Sequence, residues 1–183
     1  MEHTDKRYTA YLNILKEELV PAMGCTEPIA LAYAGAKARQ VLGTLPDRVA
    51  IEASDNIIKN VKSVVVPNTG NLKGIEASAV AGIVAGDPDK VLEVISSVDR
   101  REQEEIRAFL ETRDVGVANA DSDLIFDLKV SVFSGNDRAS VRISHFHTNI
   151  VTVTRNNEVL FERRHCDGEE TAKIGRASCR ERV

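Results

Sequence analysis

Apolar residues recur at helical spacing over the first half of the chain and alternate over the second. Tyr8, Leu12, Leu15 and Leu19 make one helical stripe, which Pro21 closes. A second helix is predicted within "PAMGCTEPIALAYAGAKARQ", residues 21–40. Pro28 suits a first turn, Ile29, Ala32, Tyr33 and Ala36 form an i, i+3, i+4, i+7 stripe, and Gly43 is the stop. Its many Ala and Gly residues imply a neighbour packed unusually close. Val49, Ile51 and Ala53 alternate as a short strand, and the polar clusters at 54–60 and 68–70 have turn or helix-cap chemistry. "LKGIEASAVAGIVAG" is another small-residue helix ending near Gly86. Asp87 and Pro88 then open a helix through Val98, and "DRREQEEIRAFLETR" continues as a charged amphipathic helix.

After Val115 the period changes from helical to alternating. Phe126, Leu128, Val130 and Val132 alternate, "SGND" turns the chain, and Val141, Ile143, His145 and His147 alternate again. "NIVTVTR" and "EVLFERR", joined at Asn156-Asn157, complete an antiparallel meander of three or four strands. The expected class is α+β: small-residue helices with short strands over 1–114, a β part over 115–165 and a disordered tail over 166–183.

Composition narrows the function classes. A chain of 183 residues with 43% hydrophobic content supports a core, and a net charge of −4 without long single-sign blocks offers neither nucleic acid nor a membrane surface a docking patch. The first ten residues lack the basic-then-apolar order of a signal peptide, so a cytoplasmic location is expected. Three scattered cysteines, Cys25, Cys166 and Cys179, suit reduced thiols better than a disulfide framework. The last residues, "KIGRASCRERV", resemble a sequencing adaptor translated in frame, so 174–183 are set aside from fold reasoning.

Three stretches carry candidate chemistry. Cys25 stands at a helix start, where dipole and free amides favour a thiolate, a nucleophile and metal ligand; a small buried hydrophobe is the plainer role. Glu27 is placed to act as acid or base, or simply to complement the helix dipole. "SDNIIKN" and "VPNTGNLKG" offer an Asn-Thr-Gly turn opening a helix, with Asn56, Lys59 and Asn60 as side-chain donors suited to a carboxylate or phosphate; ordinary capping explains them equally well. In "SHFHTNI", His145 and His147 share the strand face of Val141 and Ile143, so they should line the core or the polar wall of a pocket. Cys166 has no supporting pattern.

Taken in order, "PAMGCTEPIALAYAGAKA", "SDNIIKN", "VPNTG", "GIVAGDPDKVLEV" and "HFHTNI" resemble the N-terminal part of the L-cysteine desulfidase family, which is related to the α-chain of iron–sulfur L-serine dehydratases. The resemblance spans residues 15–162, and GCTEP is its most specific piece.

That resemblance implies α,β-elimination of L-cysteine to hydrogen sulfide, ammonia and pyruvate on a four-iron four-sulfur cluster. It makes Cys25 one cluster ligand, with the others in a missing C-terminal half. It also places Thr26, Ser54, Asn56, Asn60, Asn68, Thr69, Gly70, His147, Thr148 and Asn149 around the amino acid. The base is not identified; Glu27 is a candidate. The chain as it stands is expected to be an inactive N-terminal piece of a carbon–sulfur lyase, with self-association left open. An iron–sulfur L-serine dehydratase and a non-catalytic amino-acid-binding domain are the alternatives.

Overall fold

In the computed structural model, which describes residues 6–18 and 21–163, the expected α+β class holds. The helices are α1 (Lys6–Glu18), α2 (Thr26–Leu42), α3 (Asp55–Val61), α4 (Gly74–Ala85) and α5 (Arg100–Thr112). The strands are β1 (Arg48–Ala53), β2 (Asp114–Asn119), β3 (Asp127–Ser134), β4 (Asp137–Ser144), β5 (Ile150–Arg155) and β6 (Glu158–Glu162). The expected tail and adaptor-like segment, with Cys166 and Cys179, lie outside the described residues.

The meander has four strands, β3 to β6, and it is one side of a larger sheet ordered β2-β1-β3-β4-β5-β6. β1 pairs antiparallel with β3 and parallel with β2, so the first part of the chain shares a sheet with the second. The β1-to-β2 crossover is filled by α3, α4 and α5. Alternation sends Val49, Ile51, Leu128, Val130, Val132, Val141 and Ile143 to the helix-covered face, where all are buried.

α2 is more deeply buried than a single stripe would make it. Ten of its residues are buried, including Ala30, Leu31, Ala34 and Ala38 outside the expected stripe, because the helix packs on β3 and β4 and also against α4. The α2–α4 contact is close enough to exclude side chains. A Cβ on Gly82 would lie 1.8 Å from the Ala32 carbonyl oxygen, and one on Gly35 would lie 2.5 Å from that of Ala79. Gly43 ends α2 in the left-handed conformation (φ 86°), its amide bonded to the Arg39 carbonyl at 2.9 Å. α5 then covers α4 with Ile106 and Phe109, and a reciprocal Asp99–Glu102 capping box starts it.

Two local expectations change. The helix predicted through Val98 is a short 3-10 turn over Pro88–Glu93: Val91 has a positive φ of 51°, and the Asp87 amide bonds the Val94 carbonyl at 2.9 Å, folding the chain back. The polar run 54–60, expected as turn or cap chemistry, contains a real two-turn helix, since Ile57 and Val61 fall on one face and are buried.

The opposite sheet face is polar and paired. Lys129 bonds Glu52 at 3.0 Å, the Arg48 guanidinium lies 3.7 Å from the Phe133 ring centroid, and Arg142 grips the Asp127 carboxylate through two bonds of 2.9 and 2.6 Å. The Asp127 side chain is only 3% exposed. Burial pushes its carboxyl upward, but the bonds from Arg142 and Ser122 and the Arg142 charge outweigh this and hold it below the usual carboxylate range.

Gly82→Ala is expected to lower stability by about 2 kcal/mol or more through overpacking, whereas Gly116→Ala, which meets nothing within 4 Å, should move it by less than about 0.5 kcal/mol; urea unfolding of both checks the contrast. Asp127→Asn should cost about 2 kcal/mol at neutral pH. A depressed folded-state value contributes stability above the unfolded carboxylate range and loses it as pH falls through the folded one. The gap between parent and variant should therefore shrink in acid; a gap independent of pH would refute the ionised Asp127.

Candidate functional site

Four segments converge at the N-terminus of α2. The approach to the helix is pinned by a Met23 amide to Leu92 carbonyl bond of 3.4 Å and by Gly24, whose φ of 146° brings it against Pro67. Cys25 then occupies the N-cap position with extended backbone and makes no side-chain cap. Thr26 and Glu27 follow in the first turn, where an acid complements the positive end of the helix dipole.

The Cys25 thiol donates to Glu27 Oε2 at 3.1 Å, and Asn60 Nδ2, from α3, donates to Glu27 Oε1 at 3.4 Å. On the other flank, Thr26 Oγ1 lies 3.0 Å from His147 Nε2, joining residues 121 positions apart. His147 is steadied by Phe126, whose ring centroid is 4.5 Å away at 60°. Cys25 and Asn60 are exposed while Thr26, Glu27 and His147 are half-buried, so the cluster opens to solvent on its thiol side.

The electrostatics give each group a protonation state. Although Cys25 is exposed as a residue, partial withdrawal of its thiol from water, followed by the hydrogen bond and charge of Glu27, pushes the thiol above its ordinary value. Burial pushes Glu27 upward, but donation from Cys25, its own amide and Asn60, with the nearby His147, brings it below the usual range. Burial lowers His147, and the Glu27 charge opposes this only in part. At neutral pH the site holds a thiol, a carboxylate and a neutral imidazole.

The histidine expectation needs correction. β4 ends at Ser144, and His145 has a left-handed φ of 68°, so His145 and His147 do not continue the face of Val141 and Ile143. His145 is exposed, with its amide on the Phe126 carbonyl, and it is the resulting turn that carries His147 to Thr26.

The other candidates have partners of their own. Ser54 Oγ bonds the Ile125 carbonyl at 2.8 Å, Thr69 Oγ1 the Val66 carbonyl at 2.8 Å, and Asn68 Nδ2 the carbonyls of Ile95 and Ser96 at 3.2 Å each. The Gly70 carbonyl accepts from Arg107, and Asn149 bonds Ser144 and Arg163. Asn56 is exposed and Thr148 half-buried, and neither has a side-chain bond to the cluster. The Asn-Thr-Gly turn is thus tied to the turn that follows the 3-10 segment and to α5. Phe126 is the site residue that sequence reasoning passed over; it read there only as one position of an alternating strand.

By themselves the described residues do not hold a four-iron four-sulfur cluster, for which the resemblance put every ligand but Cys25 elsewhere. They include one free cysteine, its thiol bonded to a carboxylate, and no group of three or more His, Cys, Asp or Glu placed to hold a metal.

The fold and cluster define an α+β domain with a small polar site where a buried helix meets one end of a six-stranded sheet. Its sequence is similar to those of bacterial relatives. The chain is 55% identical over 161 residues to a UPF0597 protein of Desulfitobacterium hafniense, covering 88% of this chain and 37% of that protein. It is 42% identical to UPF0597 proteins of Treponema denticola, over 86% of this chain and 36% of the relative, and of Fusobacterium nucleatum, over 89% and 38%. The chain thus spans little more than a third of the length of these relatives. No protein-family profile and no solved structure matches. These relatives correct the resemblance to the L-cysteine desulfidase family: strong identity runs through most of the chain to proteins with the UPF0597 name, which states no activity. No helix among the described residues is long and apolar enough to cross a membrane.

In a background with Cys166 and Cys179 replaced by Ser, Cys25 should react with iodoacetamide at pH 7 more slowly than a free cysteine. Glu27→Gln removes the opposing charge and should shift the reactivity midpoint downward, raising the neutral-pH rate several-fold. An unchanged or higher midpoint would show that Glu27 does not hold the thiol protonated.

Proposed function

We propose that this chain holds a small α-amino acid at the Thr26–Glu27–Asn60–His147 cluster and that, within the longer protein, the site serves an ammonia-forming lyase acting on L-cysteine. The observation that carries the proposal is the convergence of Thr26 and His147, 121 residues apart, beside the Cys25–Glu27–Asn60 group. An ionised Glu27 complements an ammonium group, Thr26 and Asn60 offer neutral polar contacts, and a neutral imidazole is competent to accept a proton.

In such an elimination His147 would take the α-proton, the electron pair would form the Cα–Cβ double bond, and the C–S bond would break to release hydrosulfide. Aminoacrylate tautomerises to an imine, and water converts that to pyruvate and ammonia. L-Serine follows the same course with hydroxide leaving. A second reading, amino-acid binding without catalysis, is favoured by the solvent-open thiol side of the cluster and by the protonated thiol. A cytoplasmic setting suits a free thiol under either reading.

Calorimetric titration of this chain with L-cysteine and L-serine should show binding that weakens about tenfold in Thr26→Ala and Glu27→Gln. Binding should also fall in acid as Glu27 protonates. In the full-length Desulfitobacterium hafniense relative, pyruvate release from L-cysteine should drop about 100-fold or more when the histidine matching His147 becomes Gln. Binding without pyruvate in that protein would leave the binding domain alone, and absence of both would sink the proposal.

A further inference from the structure

β6 ends the strand order, and no described strand lies on its outer side. Such edges are normally short, charged or covered, because their unpaired amide and carbonyl groups invite another chain. β6 instead carries three successive large apolar residues, Val159, Leu160 and Phe161, exposed by 55, 50 and 42%. Glu158 precedes them, and Glu162 and Arg163 follow.

The backbone phase of this edge is readable. The Arg163 amide donates to the Val151 carbonyl, so Arg163 faces β5, and alternation turns the backbone groups of Glu162 outward. At the other end, Arg155 and Glu158 pair across the two-residue turn at Asn156-Asn157, so Glu158 faces β5 and Val159 turns outward. The irregularity in the β5–β6 register absorbs the difference in phase.

We propose that β6 is a self-association strand, pairing antiparallel with β6 of a second copy about a two-fold axis between Leu160 and Phe161. This register sets outward residue on outward residue at two places, Val159 of one copy opposite Glu162 of the other, twice, whereas centring on Val159 or on Glu162 would do so once. It also sets Leu160 opposite Phe161 and each Glu158 opposite an Arg163, joining two six-stranded sheets into one. A slip that centres Leu160 on itself would place Glu158 against Glu162 and put the backbone groups out of phase. One strand pair covers less than the roughly 1,200 Å² of a stable interface, so the dimer should dissociate on dilution.

Sedimentation velocity over a dilution series at low salt tests this. The parent chain should show a dimer at high concentration. Glu158→Arg and Arg163→Glu should each lose it through like-charge facing, while an equimolar mixture should regain it, because each variant supplies the charge that the other lacks. Circular dichroism melts confirm that both variants fold, which matters for Arg163→Glu because Arg163 also bonds Asn149. A parent monomeric at every concentration, a dimer surviving in either variant alone, or a mixture of folded variants that stays monomeric would each overturn the proposal.

Discussion

The approach of α2 to α4 is the constraint on which the rest of the structure depends. With the Ala32 and Ala79 carbonyls lying where Cβ atoms of Gly82 and Gly35 would stand, the helices meet through backbone rather than through interleaved long side chains. Close approach lets α2 be covered by α4 on one side and by the sheet on the other, within a core that holds no Trp and little aromatic bulk. Alanine supplies the helix propensity that glycine costs, so Gly occurs only where contact is tightest.

That packing also determines where chemistry can occur. A helix buried along most of its length cannot slide or rotate without breaking contacts on two sides, so its first turn is fixed relative to the ends of the strands. Cys25, Thr26 and Glu27 sit on this fixed turn, and the β4–β5 turn brings His147 to Thr26. The groups that face solvent, the thiol and Asn60, are the ones bonded to the Glu27 carboxylate, so the charge organising the cluster is itself held by neutral donors.

Periodicity made the rigid parts legible. Alternation located β3 and β4, the two runs joined at Asn156-Asn157 located β5 and β6, and small residues announced a close helix contact before any partner was known. The parallel edge strand β2 escaped because its alternation rests on two half-buried valines, Val115 and Val117, among exposed residues, and α3 escaped because its polar letters resemble a turn. At the site, Cys25, Thr26, Glu27, Asn60 and His147 were each identified as chemistry-bearing, and their grouping came only from the resemblance, not from any periodicity. It depends on a left-handed His145, a residue type that visits this region more often than most but announces it by no spacing rule. The Asn-Thr-Gly turn shows the converse: its composition suggested a ligand cradle, and its hydrogen bonds are spent on local carbonyls and on α5.

The protonated thiol bears on how Cys25 should be understood. A helix start lowers a thiol through its amides, and the first-turn amides of Glu27 and Thr26 do act in that direction here. Partial burial, joined by the hydrogen bond and charge of the carboxylate 3.1 Å away, outweighs them. Thiol and carboxylate share one hydrogen bond, so the protonation of each bears on the other. The state of the Cys25 thiol is thus set by its surroundings together with the acid two residues on, a property of the CTE run and not of the cysteine alone.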